Sequence, residues 1–150
     1  MGNIQYLTIA LGVFLLDRLT KFLVGFSFRS GHPIFFRRGF FSLRYVKNSG
    51  GAFGFLPRRG TLFMVVTMIA VGLLIYLLFF SGSRRTATNL GLALLLGGSL
   101  GNLLDRLITG AVLDFIQFGN MPIFNLADVA IVTGSGLIIF VLVGGPKFLG

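Results

Sequence analysis

Long apolar runs alternate with short polar segments along this chain of 150 residues. The runs are Ile4–Leu16 continued through Leu23, Leu62–Phe80, Ala87–Leu104 and Val129–Val143. A helix needs about 20 mostly apolar residues to cross the hydrocarbon core of a bilayer. Each run reaches or approaches that length. The pattern therefore predicts four transmembrane helices, at about 4–24, 61–80, 87–108 and 127–144.

The connector between the first two predicted helices, residues 26–60, has a different pattern. Its segment Phe40–Val46 mixes aromatic and β-branched residues and leads into Asn48-Ser49-Gly50-Gly51, which is typical of short strands and a tight turn. The predicted fold is therefore an all-α membrane protein of one domain, residues 1–150, with a small β-rich platform between helices 1 and 2. Asn48 next to a Gly-rich turn is also consistent with a plain turn former.

Composition supports a membrane protein. The chain is 55% hydrophobic and only 11% charged, with a mean hydropathy of +0.92, whereas soluble domains carry about 25% charged residues. In so apolar a chain, attraction to anionic lipid headgroups explains the net charge of +9 better than nucleic-acid binding does.

Two residue counts limit the possible chemistry. The absence of cysteine excludes disulfides, thiolate metal sites and cysteine nucleophiles. A single histidine, His32, excludes multi-histidine metal sites and disfavours a Ser-His-Asp triad. His32 lies in a Gly/Pro-marked segment and is interpreted as a surface turn residue. No metal is expected.

The acidic residues are few and clustered. The chain has no glutamate and four aspartates, Asp17, Asp105, Asp114 and Asp128. If four helices alternate in direction, the first and third end on the face where the fourth begins, so all four carboxylates converge at one side of the membrane. A charge at the bilayer centre costs about 2.5–3.5 kcal/mol, so such carboxylates must be paired or hydrated.

Two triplets are spaced i, i+3, i+4 and therefore share a helical face: Asp17, Thr20 and Lys21, and Asn102, Asp105 and Arg106. Local Asp–Lys and Asp–Arg pairs at a membrane boundary explain both spacings as readily as a functional site does. Farther along, Asn125 or Asp128 could be a plain N-cap of the last helix. An N-cap requires only one of them, and it does not explain Asp114, which lies in a short extended stretch.

Two kinds of hydrolytic chemistry remain. Two carboxylates that share one proton can activate a water and protonate a leaving group, as in aspartic proteases. The alternative is a Ser–Lys pair, which has no distinctive spacing here; its candidates are Ser27, Ser42, Ser49 and Ser99 with Lys21 or Lys47.

Five motifs, in order and over nearly the whole chain, resemble those of the lipoprotein signal peptidases (signal peptidase II). They are Asp17-Arg18-Leu19-Thr20-Lys21, Asn48-Ser49-Gly50-Gly51-Ala52-Phe53, Gly97–Arg106, Val112-Leu113-Asp114-Phe115 and Phe124-Asn125-Leu126-Ala127-Asp128. Each motif alone is weak, but five at compatible spacing are specific. Ser99 is a small departure, since the family often has alanine there.

The resemblance implies that Asp114 and Asp128 form a catalytic dyad. It implies that the residues supporting the site or contacting the substrate are Asp17, Lys21, Asn48, Gly50, Asn102, Asp105, Arg106 and Asn125. The implied reaction is cleavage of the signal peptide of a diacylglyceryl-modified bacterial prolipoprotein, on the amino side of the lipobox cysteine. Besides this substrate, the implied partners are membrane lipids, and no cofactor is implied.

The resemblance also implies a multi-pass protein of the bacterial cytoplasmic (inner) membrane, with the site and the connector on the extracytoplasmic face. The charge distribution predicts the opposite orientation. The connector has seven basic residues, while the other face offers chiefly Arg84, Arg85 and Lys147, and basic loops usually stay in the cytoplasm. We follow the family orientation, because a connector lying on the membrane can use its basic residues on anionic lipid.

Two other function classes fit some of these features. Intramembrane aspartates often mark ion paths, so a proton- or ion-coupled transporter is the main alternative. Against it, the carboxylates gather at one face and no inverted repeat is apparent. A non-catalytic lipid-binding or assembly protein with a satisfied polar cluster is the third possibility.

Overall fold

The computed structural model describes residues 2–29, 37–38, 40–50, 60–80 and 86–144. These residues form four helices and three strands. In chain order the elements are α1 (Gly2–Arg29), β1 (Arg37–Arg38), β2 (Phe41–Asn48), α2 (Gly60–Phe80), α3 (Thr86–Thr109), β3 (Val112–Phe118) and α4 (Leu126–Leu142). The predicted helix positions match within a few residues, except that α1 continues to Arg29 instead of ending near residue 24.

The four helices differ in how well they would span a bilayer. Among the described residues, α2 and α3 are long and apolar enough to cross a membrane by length and composition, and α4 is a shorter apolar helix. Helix α1 contains the charged residues Asp17, Arg18 and Lys21 in its C-terminal half. Two helices thus meet the criterion on their own.

Helix α3 is the central element of the bundle and packs against each of the other three helices. Glycines allow the close approach predicted for Gly97 and Gly101. A Cβ on Gly97 would come within 2.5 Å of the carbonyl oxygen of Ala10 in α1, and one on Gly101 within 2.5 Å of the Asp17 carboxylate. Small residues therefore bring the polar end of α1 directly against α3.

Helix α2 contrasts with α3 because most of its surface is exposed. Large apolar side chains such as Ile69 and Phe80 are 67% and 73% exposed, and only Val71 and Leu78 are buried. The helix contacts the rest of the bundle through α3. A charged side chain on a surface that faces lipid would be costly. Helix α2 has none, as expected of a scaffold helix.

The sheet is antiparallel and three-stranded, in the order β1-β2-β3. The two strands of the connector confirm the predicted strands there. The predicted location of the platform, between helices 1 and 2, is incomplete, because β3 comes from the segment between α3 and α4. Aromatic rings join the strands, with Phe41 and Phe118 at 5.2 Å between centroids.

The register of the sheet places one site residue beside another. The pairs Val46↔Asp114 and Asn48↔Val112 follow an irregularity in β2 between Leu43 and Val46. Asn48, at the end of β2, is thereby brought beside Asp114 in β3. The sheet thus joins the connector between α1 and α2 to the segment between α3 and α4.

Candidate active site

The first two carboxylates belong to a closed set of four charges, the ion quartet of Asp17, Arg18, Lys21 and Asp105. Asp17 is fully buried, and its Oδ2 accepts hydrogen bonds from Arg18 at 2.8 Å and Lys21 at 2.9 Å. Its Oδ1 accepts from the backbone N–H of Ala127 at 3.2 Å, in the first turn of α4. Asp17 therefore pairs with two cations and fixes the start of α4.

Asp105 closes the quartet from α3. Its Oδ1 accepts from Arg18 at 2.7 Å, and its Oδ2 accepts from Lys21 at 2.7 Å and from the backbone N–H of Leu113 at 3.3 Å. The local pairing of Asp105 with Arg106 expected from the sequence is wrong. Within the described residues the charged partners of Asp105 are on α1, because Gly101 lets α1 approach α3 closely.

Asp114 is held by amide side chains. It is 3% exposed, its Oδ1 accepts from Nδ2 of Asn125 at 2.7 Å, and its Oδ2 accepts from Nδ2 of Asn48 at 2.9 Å. Asn48 also acts as the turn former that its sequence suggested, because its Oδ1 accepts from the backbone N–H of Gly50 at 2.9 Å. One asparagine thus shapes the turn and binds the carboxylate.

Asp128 lies in the first turn of α4 and is held in a similar way. Its Oδ1 accepts from Nδ2 of Asn102 at 2.8 Å, and its Oδ2 accepts from the backbone N–H of Asn125 at 3.2 Å. Asn125 is the N-cap, and its Oδ1 accepts from the backbone N–H of Asp128 at 2.9 Å, completing a capping box. The capping explanation is therefore correct and incomplete.

Asn102 and Asn125 connect the quartet to the other two carboxylates. Nδ2 of Asn125 donates to Oδ1 of Asn102 at 3.2 Å, and this oxygen also accepts from Lys21 at 3.1 Å. Both asparagines are buried. Their orientation is fixed on both sides, so the carboxylates of Asp114 and Asp128 are held in place by a continuous network.

Asp114 and Asp128 line the same cavity, of about 220 Å³. Apolar side chains from α2 and α4 form much of its wall, and Asn48, Asn102 and Arg106 also line it. Among the described residues, neither carboxylate forms an ion pair. Burial raises the pKa of Asp114 to about 6; the hydrogen bond from Asn48 opposes that rise, and the neighbouring charge of Asp128 adds to it.

Arg106 and Gly50 lie at the edge of this cavity network. The guanidinium of Arg106 donates to the backbone oxygens of Asn102 and Gly50, both at a long 3.4 Å, and lies 5.9 Å from the centroid of the Phe63 ring. Its buried Nε has no hydrogen-bond partner among the described residues. Arg106 thus keeps donor capacity beside the two carboxylates.

Every predicted site residue therefore lies in or beside one polar network. Thr20 does not join it, because its hydroxyl donates to the backbone oxygens of Leu16 and Asp17. Arg18 was missed, although it follows Asp17 directly. The signal available in the sequence was the number of charges. Asp17 and Asp105 need two cations as partners, and if Arg106 does not pair with Asp105, Lys21 supplies only one of them.

The described residues contain no group of three or more His, Cys, Asp or Glu side chains placed to hold a metal ion. The Ser–Lys alternative also lacks geometry at Lys21, whose Nζ contacts Asp17, Asp105 and Asn102. The arrangement that remains is a buried carboxylate, Asp114, and a partly buried one, Asp128, on one cavity, with neutral donors on every oxygen.

Known proteins share this chain's sequence pattern. The family model described as signal peptidase (SPase) II matches residues 9–143. A lipoprotein signal peptidase of Halothermothrix orenii is 42% identical over 135 residues, covering 89% of this chain and 92% of the relative. One of Caldicellulosiruptor bescii is 38% identical over 144 residues, covering 95% and 94%.

Solved structures share the fold. Two structures described as bacterial membrane enzymes, at 2.3 Å and 1.9 Å resolution, are each 31% identical to this chain. Their TM-scores are 0.81 and 0.79; the first match covers 93% of this chain and 87% of the other, and the second covers 95% and 94%. Sequence and fold agree, and the chain belongs to the signal peptidase II family.

Proposed function

We propose that this protease, which cleaves prolipoprotein signal peptides as its family does, is an aspartic endopeptidase whose dyad is Asp114 and Asp128. The observation that carries the proposal is the shared cavity, onto which both carboxylates open while neutral donors hold their oxygens. Asp17 and Asp105 lack this freedom because cations occupy them.

The two carboxylates take complementary roles. Asp114, with its raised pKa, holds the shared proton, and Asp128 is ionised and removes a proton from the attacking water. The water oxygen bonds to the scissile carbonyl carbon, and the C–N bond then breaks. The leaving amine of the lipobox cysteine receives the proton that Asp114 held.

The remaining site residues support this chemistry. Asn48, Asn102 and Asn125 orient the two carboxylates, and the ion quartet holds α1, α3 and α4 together beneath them. Arg106, with donor capacity beside the cavity, binds substrate carbonyl oxygens. No cofactor is required by this mechanism.

The cavity wall suits a substrate that stays partly in lipid. Val66, Ile131 and Val132 line the cavity together with the carboxylates, so an apolar chain can lie against them while a peptide bond reaches the dyad. We assign the substrate as a diacylglyceryl-modified prolipoprotein signal peptide cut on the amino side of its cysteine. The transporter alternative has no support, since all four carboxylates lie at one end of the bundle.

The test compares cleavage and binding of a diacylglyceryl-modified precursor peptide by purified protein in micelles. Asp114→Asn and Asp128→Asn should each reduce turnover by at least about 10³-fold, with the fold and peptide binding retained. Substantial turnover by either folded variant would contradict the aspartic mechanism. A wild-type protein that binds the peptide but never cleaves it would indicate the non-catalytic assembly protein.

The orientation is a second part of the proposal. We place four spans in the inner membrane with the dyad on the extracytoplasmic face. Because the chain has no cysteine, single Cys substitutions at Ser30 and Ser83, which lie outside the described residues, report the two faces separately. Ser30→Cys should label from outside in intact cells, and labelling of Ser83→Cys instead would reverse the orientation.

A further inference from the structure

A second cavity, of about 500 Å³, is lined by Arg18, Lys21 and Asp105 of the ion quartet. Its walls are the C-terminal half of α1, the end of α3, and strands β2 and β3. It shares no lining residue with the cavity of Asp114 and Asp128. The proposed peptidase mechanism makes no use of it.

The charge of this second cavity is positive. Arg18, Lys21, Lys47 and Asp105 line it, and because Arg18 and Lys21 are paired with Asp17 and Asp105, Lys47 carries the excess positive charge. Both oxygens of Asp105 already accept hydrogen bonds from Arg18 and Lys21, so Asp105 cannot also neutralise Lys47. Lys47 is exposed and forms no ion pair with any described residue. In addition, the buried Nε of Arg18 has no hydrogen-bond partner among the described residues.

Much of the rest of the cavity is apolar, and it opens along the side of the bundle. Phe22 and Phe26 of α1 are 67% and 64% exposed and stack on each other at 6.3 Å between ring centroids. Ile108 at the end of α3 is 69% exposed and lines the same cavity. Cationic groups therefore sit at the polar end of an apolar cleft that faces the surroundings of the helices.

We infer that this cavity binds an anionic phospholipid of the surrounding bilayer, with its phosphate at Lys47 and Arg18 and an acyl chain along Phe22 and Phe26. Charge complementarity selects this occupant: a basic side chain near a membrane surface attracts an anionic headgroup, and guanidinium and ammonium groups both bind phosphate. The uncharged diacylglyceryl group of a substrate has no charge to place beside Lys47.

A glycine offers a way to close the cavity without disturbing the fold. Gly25 lines the cavity, and a Cβ built on it would meet no atom within 4 Å. Gly25→Leu should therefore place its side chain in the space assigned to the acyl chain. Gly12, also in α1, has the same open surroundings and does not line the cavity, so Gly12→Leu is a matched control.

The headgroup contact has a matched control as well. Lys47→Gln removes the cation that lines the cavity. Arg44→Gln removes one positive charge from an exposed position on the same strand, and Arg44 does not line the cavity. A diffuse attraction to the whole basic surface would respond equally to both substitutions.

The experiment is a titration of the delipidated full chain in uncharged detergent with phosphatidylglycerol, phosphatidylcholine and diacylglycerol, followed by native mass spectrometry. Phosphatidylglycerol should saturate one site, and Lys47→Gln should weaken its binding about fivefold. Gly25→Leu should weaken it by about tenfold or more, since an overfilled cavity excludes the chain. Both control variants should bind like the wild type, and all variants should keep the wild-type unfolding temperature.

Three results would overturn the proposal. Equal weakening by Arg44→Gln would assign the binding to diffuse surface charge, and unchanged binding by Gly25→Leu would exclude the cavity. Diacylglycerol binding as tightly as phosphatidylglycerol, and competing with it, would give the cavity to the substrate's own lipid. None of these readouts depends on cleavage. Failure of the proposed aspartic mechanism would therefore not contradict the lipid site, and failure of the lipid site would not contradict the mechanism.

Discussion

The four aspartates form two pairs that differ in how their charge is satisfied. Asp17 and Asp105 share Arg18 and Lys21, so two negative charges meet two positive charges. Asp114 and Asp128 receive hydrogen bonds from asparagine side chains and a backbone N–H. The first pair is neutralised within the fold, whereas the second has donors that orient it without cancelling its charge.

This difference separates what stabilises the bundle from what can do chemistry. Protonation of a carboxylate that is paired with two cations would weaken both ion pairs. Such a carboxylate therefore suits a structural role. Two carboxylates held by neutral amides repel each other and favour holding one proton between them. The comparison therefore predicts opposite consequences for the same Asp→Asn change in the two pairs.

The largest expected effect on stability comes from breaking the quartet at its buried end. Asp17→Asn leaves Arg18 and Lys21 with one carboxylate at a site where Asp17 is fully buried, and breaking a buried pair costs about 3–5 kcal/mol. Asp105→Asn should act in the same direction. Thermal unfolding in detergent measures both, with Asp114→Asn as the control that should not be destabilised. An Asp114→Asn variant as unstable as Asp17→Asn would remove the distinction.

The next effect is the pH dependence that Asp114 imposes on stability. Its pKa is about 6 in the folded protein against an ordinary 3.8, so between these values the folded state keeps a proton that the unfolded state releases. Stability should therefore fall as pH rises from about 4 to 6 and stay lower above that, by at most about 3 kcal/mol. Unfolding temperatures from pH 4 to 7 should show this decline in the wild type and a weaker one in Asp114→Asn. Parallel curves for the two proteins would contradict the assignment.

The sequence predicted the parts of the fold that depend on long or repeated patterns. Apolar runs located all four helices, and the aromatic segment Phe40–Val46 located β2. The strand β3 was expected only as a short extended stretch around Asp114, because a strand's partners lie far away in sequence. Nothing local indicates that Asn48 and Asp114, 66 residues apart, are hydrogen-bonded.

Residue types and motifs predicted which residues lie in the polar network. Helical spacing mispredicted one of their pairings. Helical spacing correctly joined Asp17 to Lys21 and incorrectly joined Asp105 to Arg106. Spacing reports neighbours on one helix, whereas the Asp105–Arg18 contact crosses between two helices. It exists because Gly101 has no side chain to hold α1 away from α3. Such contacts follow from packing, which a single sequence does not display.

Arg18 sharpens the comparison through a smaller change. Its guanidinium bridges Asp17 and Asp105 but is 23% exposed, so water can replace part of its contacts in Arg18→Gln. We expect a loss of about 1–3 kcal/mol, less than for Asp17→Asn, because Lys21 still contacts both carboxylates. Arg44→Gln, at an exposed position on β2, should stay within about 0.5 kcal/mol of the wild type. If Arg18→Gln is as stable as Arg44→Gln, the contacts of Lys21 are enough to stabilise Asp17 and Asp105.

Asn48→Ala should have the smallest effect on stability, and it gives the most specific test of the pair Asp114 and Asp128. Asn48→Ala removes the donor to Oδ2 of Asp114 and the acceptor for the Gly50 N–H, at a cost of about 1 kcal/mol. Because that hydrogen bond lowers the pKa of Asp114, its loss should raise the pKa further. Cleavage should follow a bell-shaped pH curve that belongs to the carboxylate pair, and Asn48→Ala should move its alkaline limb to higher pH. The neighbouring exposed Ser49→Ala should leave the curve unchanged. An alkaline limb that stays in place in Asn48→Ala, despite normal folding, would mean that Asn48 orients the turn and does not tune the carboxylate.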